Sequence, residues 1–292
     1  MASEFEIKHQ VREFYDQIGW QEASDGFYQN ASYEDLRQVA HEYIHNCHLR
    51  VLRHLNPSGS LLLDAGSGPI QYPEYLDYSR GYQHRVCADI SLVALQEARK
   101  RIGTHGLFTV CDIANLPFKS NTFDGMVSLH TIHHLPPEEH VRAYQELFRT
   151  LAPGGRGVIV NGWDNPPLTI FLNFWIGLTE RLYARIRPLS VTTIHGKELS
   201  SPGNTPTARG TYVRKHNAAW LQKDVGSLMP VKIWCWRSVS VRFLRTFIHE
   251  RFFGRWLLKI LYWKEERFPH LLGKYGQYPL IELNKFKSQV QL

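Results

Sequence analysis

Residues Leu61-Leu62-Leu63-Asp64-Ala65-Gly66-Ser67-Gly68-Pro69 run from an apolar stretch into an acid and then into two glycines. A short apolar run that stops at Gly-x-Gly reads as a buried strand entering a tight turn, where an α/β sheet offers backbone N–H groups to a ligand. Many nucleotide sites share this element, so it limits the fold more than the function. Four further segments follow at intervals suited to strand–helix alternation: Val86-Cys87-Ala88-Asp89, Thr109-Val110-Cys111-Asp112-Ile113, the stretch from Phe123 to His130, and Leu151-Ala152-Pro153-Gly154-Gly155. The pattern predicts parallel strands over 60–65, 84–88, 107–111, 123–129 and 157–161, with helices over 91–102 and 137–151 between them. Ser91 reads as the N-cap of the first of those helices and Gly103 as its end.

Together these segments resemble the class I S-adenosylmethionine-dependent methyltransferases of the small-molecule type, closely over 60–162 and thinly beyond. The resemblance implies an α/β, doubly wound, Rossmann-like sheet of seven strands, six parallel and one antiparallel, with helical lid insertions. It implies S-adenosylmethionine as cofactor and S-adenosylhomocysteine as product. It places Asp64, Ala65, Gly66 and Gly68 at the methionine end and gives Asp89 the ribose hydroxyls, with Ile90 on the adenine face. Asp112 with Ile113 takes the adenine amino group. His134 resembles the histidine that meets an N-terminal tyrosine over the substrate, which would be Tyr15. His130 falls where some members keep a base, and backbone carbonyls of that segment face the methionine moiety. The turn at 151–155 resembles the family's structural turn before the fifth strand.

The residues support and limit this picture on their own terms. Glycines at 66 and 68 let backbone approach a ligand where a side chain would collide. A carboxylate at position 89 suits the ribose of a nicotinamide dinucleotide equally well, so Asp112 discriminates better than Asp89. Both acids also suit helix N-caps. Ile70 stands where the family has a third glycine, and Pro69 restricts the turn, leaving Pro73 as a place for the helix to restart. Three histidines fall in five residues, but His130 and His133 lack a carboxylate or cysteine at ligand spacing, so no metal is expected. A neutral imidazole can remove a proton from an acceptor, but methyl transfer from a sulfonium is governed by positioning, so the cofactor residues rank above any base.

Outside this core the chain adds helical material. Residues 1–58 form an N-terminal cap with helical patterns over 3–20 and 33–55, where Tyr15 and Tyr28 suit either a pocket or packing on the sheet. The cofactor core spans 59–162. A lid insertion over 163–211 joins an apolar aromatic segment (168–186) to a Pro/Gly/Ser/Thr-rich loop (196–211). Residues 212–292 complete the core, with a helix over 212–225, strands over 231–242 and 278–284, and a basic aromatic insertion at about 243–276. Both insertions leave the carboxyl edge of the sheet, so they are expected to cover the crevice.

Nine Lys/Arg and three Glu lie between Arg237 and Lys274, interleaved with Phe243, Phe247, Phe252, Phe253, Trp256, Tyr262, Trp263 and Phe268. Such a stretch suits a solvated basic face, an anionic membrane surface or single-stranded RNA. No dedicated RNA module is visible, so the expectation is a small or lipid-like, apolar or aromatic acceptor, with peripheral membrane contact and no nucleic acid. RNA methylation is the alternative, and a dehydrogenase or a non-catalytic cofactor-binding module competes. The net charge of +7 does not choose among them. Four cysteines without metal spacing and a polar N-terminus without signal-peptide character predict a reduced, cytoplasmic protein. O-, N- and C-methylation stay open.

Overall fold

The computed structural model describes residues 3–20, 34–186 and 211–286. In chain order the elements are α1 (Glu4–Phe14), α2 (His41–Leu49), β1 (Gly59–Ala65), α3 (Glu74–Asp77), β2 (Tyr82–Asp89), α4 (Leu92–Ile102), β3 (Gly106–Val110), β4 (Phe123–Leu129), α5 (His140–Thr150), β5 (Leu151–Val160) and α6 (Pro167–Ile186). They continue through α7 (Ala218–Trp220), β6 (Val231–Arg237), α8 (Val241–Phe247), α9 (Gly254–Arg267), α10 (Pro269–Tyr275) and β7 (Tyr278–Asn284).

The strands form one seven-stranded sheet in the order β3-β2-β1-β4-β5-β7-β6. β7 is antiparallel to both β5 and β6, and the other five-strand run pairs in parallel, as the alternation predicts. The order reverses between β1 and β4, and the crevice of such a sheet lies beyond the carboxyl ends of its strands at that switch.

Successive side chains of a strand point to opposite faces. Leu63, Val86, Met126, Ile159 and Ile281 accordingly build the core on one face, and Leu62, Cys87, Val127, Val158 and Leu280 the core on the other. The Ser91 hydroxyl accepts from Ala94 N at 3.0 Å and caps α4 as predicted, and Gly103 ends it at φ +60°.

β5 starts earlier than predicted: Leu151 pairs with Phe123, and an irregularity then absorbs the Pro-Gly-Gly segment. Gly154 at φ +86° turns the backbone there.

The N-terminal cap is shorter in helix than its periodicity implies. α1 passes into a wider π turn over Tyr15–Gly19, and the second pattern yields helix only from His41, followed by a 3-10 turn over Arg50–His54. Tyr28 and the loop at 196–210 lie outside the described residues.

The largest departure concerns the insertions. None of the described residues of α6, α8, α9 or α10 lines the main cleft. α6, α8 and α9 build a third core beside the sheet instead, where Val39, Tyr43, Ile44 and Cys47 of the α2 region meet Leu244 and Leu258, with Leu172 of α6 packed against them. A polar seam fixes this layer. Glu265 of α9 accepts from Tyr43 Oη at 2.8 Å and from Arg50 Nη1 at 2.9 Å, and Arg50 Nη1 also donates to Trp236 O at 2.6 Å. A buried carboxylate needs such partners, and these hold the C-terminal helices against α2 rather than over the crevice. Phe252, Phe253, Trp256 and Trp263 stay exposed. No described helix is long and apolar enough to cross a membrane.

Candidate active site

The main cleft holds about 460 Å³ and opens at the switch between β1 and β4. That lies within the ~300–1,000 Å³ range of small-molecule and cofactor pockets. Tyr15, Asp64, Gly66, Gly68, Asp89, Ile90, Asp112, Ile113, His130 and His134 all line it. Ala65 does not: its side chain is wholly buried in the sheet.

β1 delivers Asp64 and the glycine loop. Arg85 of β2 donates to Asp64 Oδ2 through Nε at 3.0 Å and through Nη2, and both side chains are buried. Burial raises the Asp64 pKa, and Arg85 opposes that shift. The loop then passes through the left-handed region at Gly66 (φ +73°), Gly68 (φ +53°) and Ile70 (φ +56°). Ile70 thus adopts the backbone conformation that a glycine takes without cost, its wholly buried side chain packing on the sheet. α3 restarts with Pro73 as its N-cap.

A Cβ on Gly66 would fall 2.2 Å from Thr131 Cγ2. We expect Gly66→Ala to weaken S-adenosylhomocysteine binding at least tenfold, since strain of about 1–3 kcal/mol adds to that collision. Calorimetric titration reads it, and unchanged affinity would show that ligand does not use this approach.

Asp89 closes β2 and organises the loop opposite. Its Oδ2 accepts from Gly68 N and its Oδ1 from Ser91 N, each at 2.9 Å. Burial pushes its pKa up to about 6, against the two backbone N–H groups that lower it. Asp89 is not the N-cap of α4; Ser91 is. Asp112, just past β3, accepts from Ala114 N at 2.9 Å and from Asn115 Nδ2 at 3.0 Å.

Lys8 of α1 forms a 2.6 Å ion pair with Asp112 and another of 2.6 Å with Glu139. Burial pulls the Asp112 pKa upward, but Lys8 and the turn N–H groups outweigh it, and the net shift is down. Sequence reasoning missed Lys8, whose only signal was a basic residue on the α1 face that carries Val11 and Tyr15.

β4 ends in the three histidines. His130 sits in the left-handed region (φ +56°) and touches the rings of Trp236 and Tyr278. His134 Nδ1 lies 2.8 Å from Tyr212 O, so Nδ1 carries the proton and Nε2 accepts. The Tyr15 hydroxyl, 2.8 Å from that Nε2, is therefore the donor. Burial lowers the pKa of His130 to about 3 and that of His134 to about 4, with the Lys215 charge contributing to both. His133 is lowered by the same causes. Trp20 stacks on Tyr15 at 4.9 Å between centroids and covers Gly68.

The far wall departs from expectation. Residues 212–217, predicted as the start of a helix, form neither helix nor strand, and helix begins only at Ala218. Arg214 N donates to His133 O at 2.7 Å and Asp164 N to His216 O at 2.8 Å, which pins this strap along the cleft. Thr211, Val213 and Lys215 line the cleft on alternate positions.

Three carboxylates at the ends of β1, β2 and β3 suit the donors of an adenosyl amino acid: its ammonium, its ribose hydroxyls and its adenine amine. The donor set fits S-adenosylmethionine. Among the described residues no group of three or more His, Cys, Asp or Glu is placed to hold a metal ion.

Residues 63–159 match the family described as a methyltransferase domain. A probable tRNA methyltransferase 9B of Mus musculus is 36% identical over 102 residues, 35% of this chain and 21% of the relative. A tRNA (carboxymethyluridine(34)-5-O)-methyltransferase of Xenopus tropicalis is 36% identical over 107 residues, 35% of this chain and 15% of the relative. The matched part is thus 21% of one relative's length and 15% of the other's. Among solved structures, a Haemonchus contortus phosphoethanolamine N-methyltransferase with S-adenosylhomocysteine has the same fold, at a TM-score of 0.59 and 10% identity, covering 100% of this chain and 51% of that one. These curated relatives correct two expectations: their names carry tRNA, against a small or lipid-like acceptor and against a chain without a nucleic-acid partner. With its glycine loop and its strand order, the core over 63–159 is a methyltransferase domain on the sheet of the class I S-adenosylmethionine-dependent methyltransferases.

Proposed function

We propose that this chain methylates RNA, with a carboxymethyl group on a tRNA uridine as the acceptor. The similarity over the cofactor core to tRNA methyltransferases carries this reading, one of them named for carboxymethyluridine. S-adenosylmethionine supplies a methyl group on a sulfonium, and the protein's task is to hold an acceptor oxygen in line with it.

A carboxylic acid has an ordinary pKa near ~4, so its oxygen is already ionised at neutral pH and needs no base. The chemistry of the far wall supports such an acceptor. Burial lowers the pKa of His130, His133 and His134, which makes each a weak base, and a carboxylate acceptor asks for none. In this reading Asp64, Asp89 and Asp112, with Ile90 and Ile113, bind the adenosyl end. Tyr15 and His134 latch the N-terminal segment over the acceptor, and His130 shapes the wall as a neutral imidazole.

A pH prediction follows from the same shifts. A histidine base with an ordinary pKa of about 6.5 would make kcat rise through that value. Here kcat is expected to be flat from about pH 6 to 8. Cofactor affinity behaves differently. Asp89 must be ionised to accept from both ribose hydroxyls, and its carboxyl titrates at about 6. Affinity therefore falls as pH drops through that value, approaching tenfold per pH unit. A kcat inflection near neutrality would return a histidine to the role of base.

The experiment for the proposal is transfer of labelled methyl from S-adenosylmethionine to tRNA, with ribosomal RNA, DNA and lipid extract as comparison acceptors. Label in tRNA that alkali releases, as a methyl ester would, is the expected result. Label in the lipid fraction alone would overturn it.

A further inference from the structure

We propose that Lys215 is the centre of a carboxylate-binding subsite in the far wall of the cleft, selecting acceptors that carry an acid. This rests on the RNA reading above and goes beyond it by naming the group that reads the acceptor.

The strap at 211–217 is fixed from both sides by backbone hydrogen bonds, through Arg214 N to His133 O and Asp164 N to His216 O. Lys215 lines the cleft from this strap, as Thr211 and Val213 do at the alternate positions before it. Gly162 makes room for it: a Cβ at that position would lie 3.2 Å from Lys215 Nζ. A side chain at 162 would make the ammonium give way by a few tenths of an ångström.

Lys215 and Lys8 are the two lysines that line the cleft among the described residues. Lys8 is neutralised by Asp112 and Glu139. Lys215 makes no hydrogen bond or ion pair with any described residue; Asp164 acts on it only at longer range. Its charge also acts on His130, His133 and His134, and each of them would repel it if protonated. Burial also lowers its own pKa. A half-buried cation without an anion is unfavourable, and an anion brought by a ligand relieves it.

The position tells which anion. The three carboxylates suited to the adenosyl group end β1, β2 and β3, whereas Gly162 and the strap lie beyond β5 on the other side of the switch. The cation therefore faces the acceptor's side of the cleft, where a carboxylate held by one oxygen leaves the other to accept the methyl group. The new bond joins carboxylate oxygen to methyl carbon, the sulfur–carbon bond breaks, and its electron pair stays on sulfur.

The test is a titration, so it does not depend on turnover. 5-Carboxymethyluridine and its amide are titrated into protein saturated with S-adenosylhomocysteine, for the wild type, Lys215→Gln and Lys215→Arg. The acid is expected to bind at least tenfold more tightly than the amide to the wild type. That preference falls to about one in Lys215→Gln and returns in Lys215→Arg, while affinity for S-adenosylhomocysteine stays the same, which also reports a folded site.

Acid preference unchanged in Lys215→Gln overturns the subsite. So does lost affinity for S-adenosylhomocysteine in that variant, which would assign Lys215 to the cofactor's own carboxylate. A wild type that binds acid and amide equally overturns it too, and if tRNA binding weakens in Lys215→Gln regardless of the uridine side chain, the cation meets backbone phosphate. Failure of the RNA reading looks different: no label reaches tRNA although the acid preference and its dependence on Lys215 persist.

Discussion

Arg85→Met is expected to cost the fold about 3–5 kcal/mol, because it leaves the Asp64 carboxylate buried without its cation. Arg85 is buried, and among the described residues its guanidinium reaches two acceptors, Asp64 Oδ2 and the Tyr75 carbonyl. Methionine fills most of the volume but satisfies neither. For a chain of this size the loss corresponds to roughly 10 °C in Tm. The double variant Arg85→Met, Asp64→Asn removes the stranded charge and is expected to recover more than half of that loss. Thermal unfolding of both variants checks it. Equal destabilisation of the single and double variants would show that Arg85 matters through packing rather than through Asp64.

Asp89→Ala is expected to weaken S-adenosylhomocysteine binding by about 1.5–3 kcal/mol, the usual value of hydrogen bonds to a charged group. Two causes act together. The ribose hydroxyls lose their acceptor, and Gly68 N and Ser91 N lose the oxygens that shape the glycine loop. Asp89→Asn keeps one acceptor oxygen and should fall between. Calorimetry at pH 7.5 or above, where Asp89 is ionised, separates the three proteins. Unchanged affinity in Asp89→Ala would remove the ribose from this residue.

The central sheet could be read from the chain because each of its strands carries its own signal. Leu61-Leu62-Leu63 and Met126-Val127-Ser128 are buried on both faces by helices, so they appear as near-continuous apolar runs. β7 was legible to its end residues, since Tyr278-Pro279 opens it and Asn284 closes it. The three strand-end acids came with those strands, and the cleft brings them together with Tyr15 and His134 across more than a hundred residues of sequence.

What escaped depends on contacts between distant segments. Tyr212, Val213, Trp220, Leu221 and Val225 mimic helical spacing, yet hydrogen bonds to His133 and His134 tie the first part to the cleft wall outside any helix. The run Thr211-Tyr212-Val213, rich in strand-forming residues, was the available signal. With the strap misread, Lys215 had no direction. The basic aromatic insertion was expected over the crevice because it leaves the correct sheet edge. Its destination was decided by Glu265 and by Tyr43 and Arg50, more than 200 positions earlier in the chain, and periodicity does not report such a pairing. Arg85 was hidden for a similar reason: it continues the polar run Gln83-His84, and only the register of β2 against β1 turns it inward toward Asp64.

The most direct test of the account is nucleoside analysis by mass spectrometry of tRNA containing 5-carboxymethyluridine after incubation with the protein and S-adenosylmethionine. The account predicts a uridine heavier by one methyl group, on the side-chain carboxylate, formed only with cofactor present and lost in Asp89→Ala at low cofactor concentration. Protein that binds S-adenosylhomocysteine normally and leaves every tRNA nucleoside unchanged would contradict it.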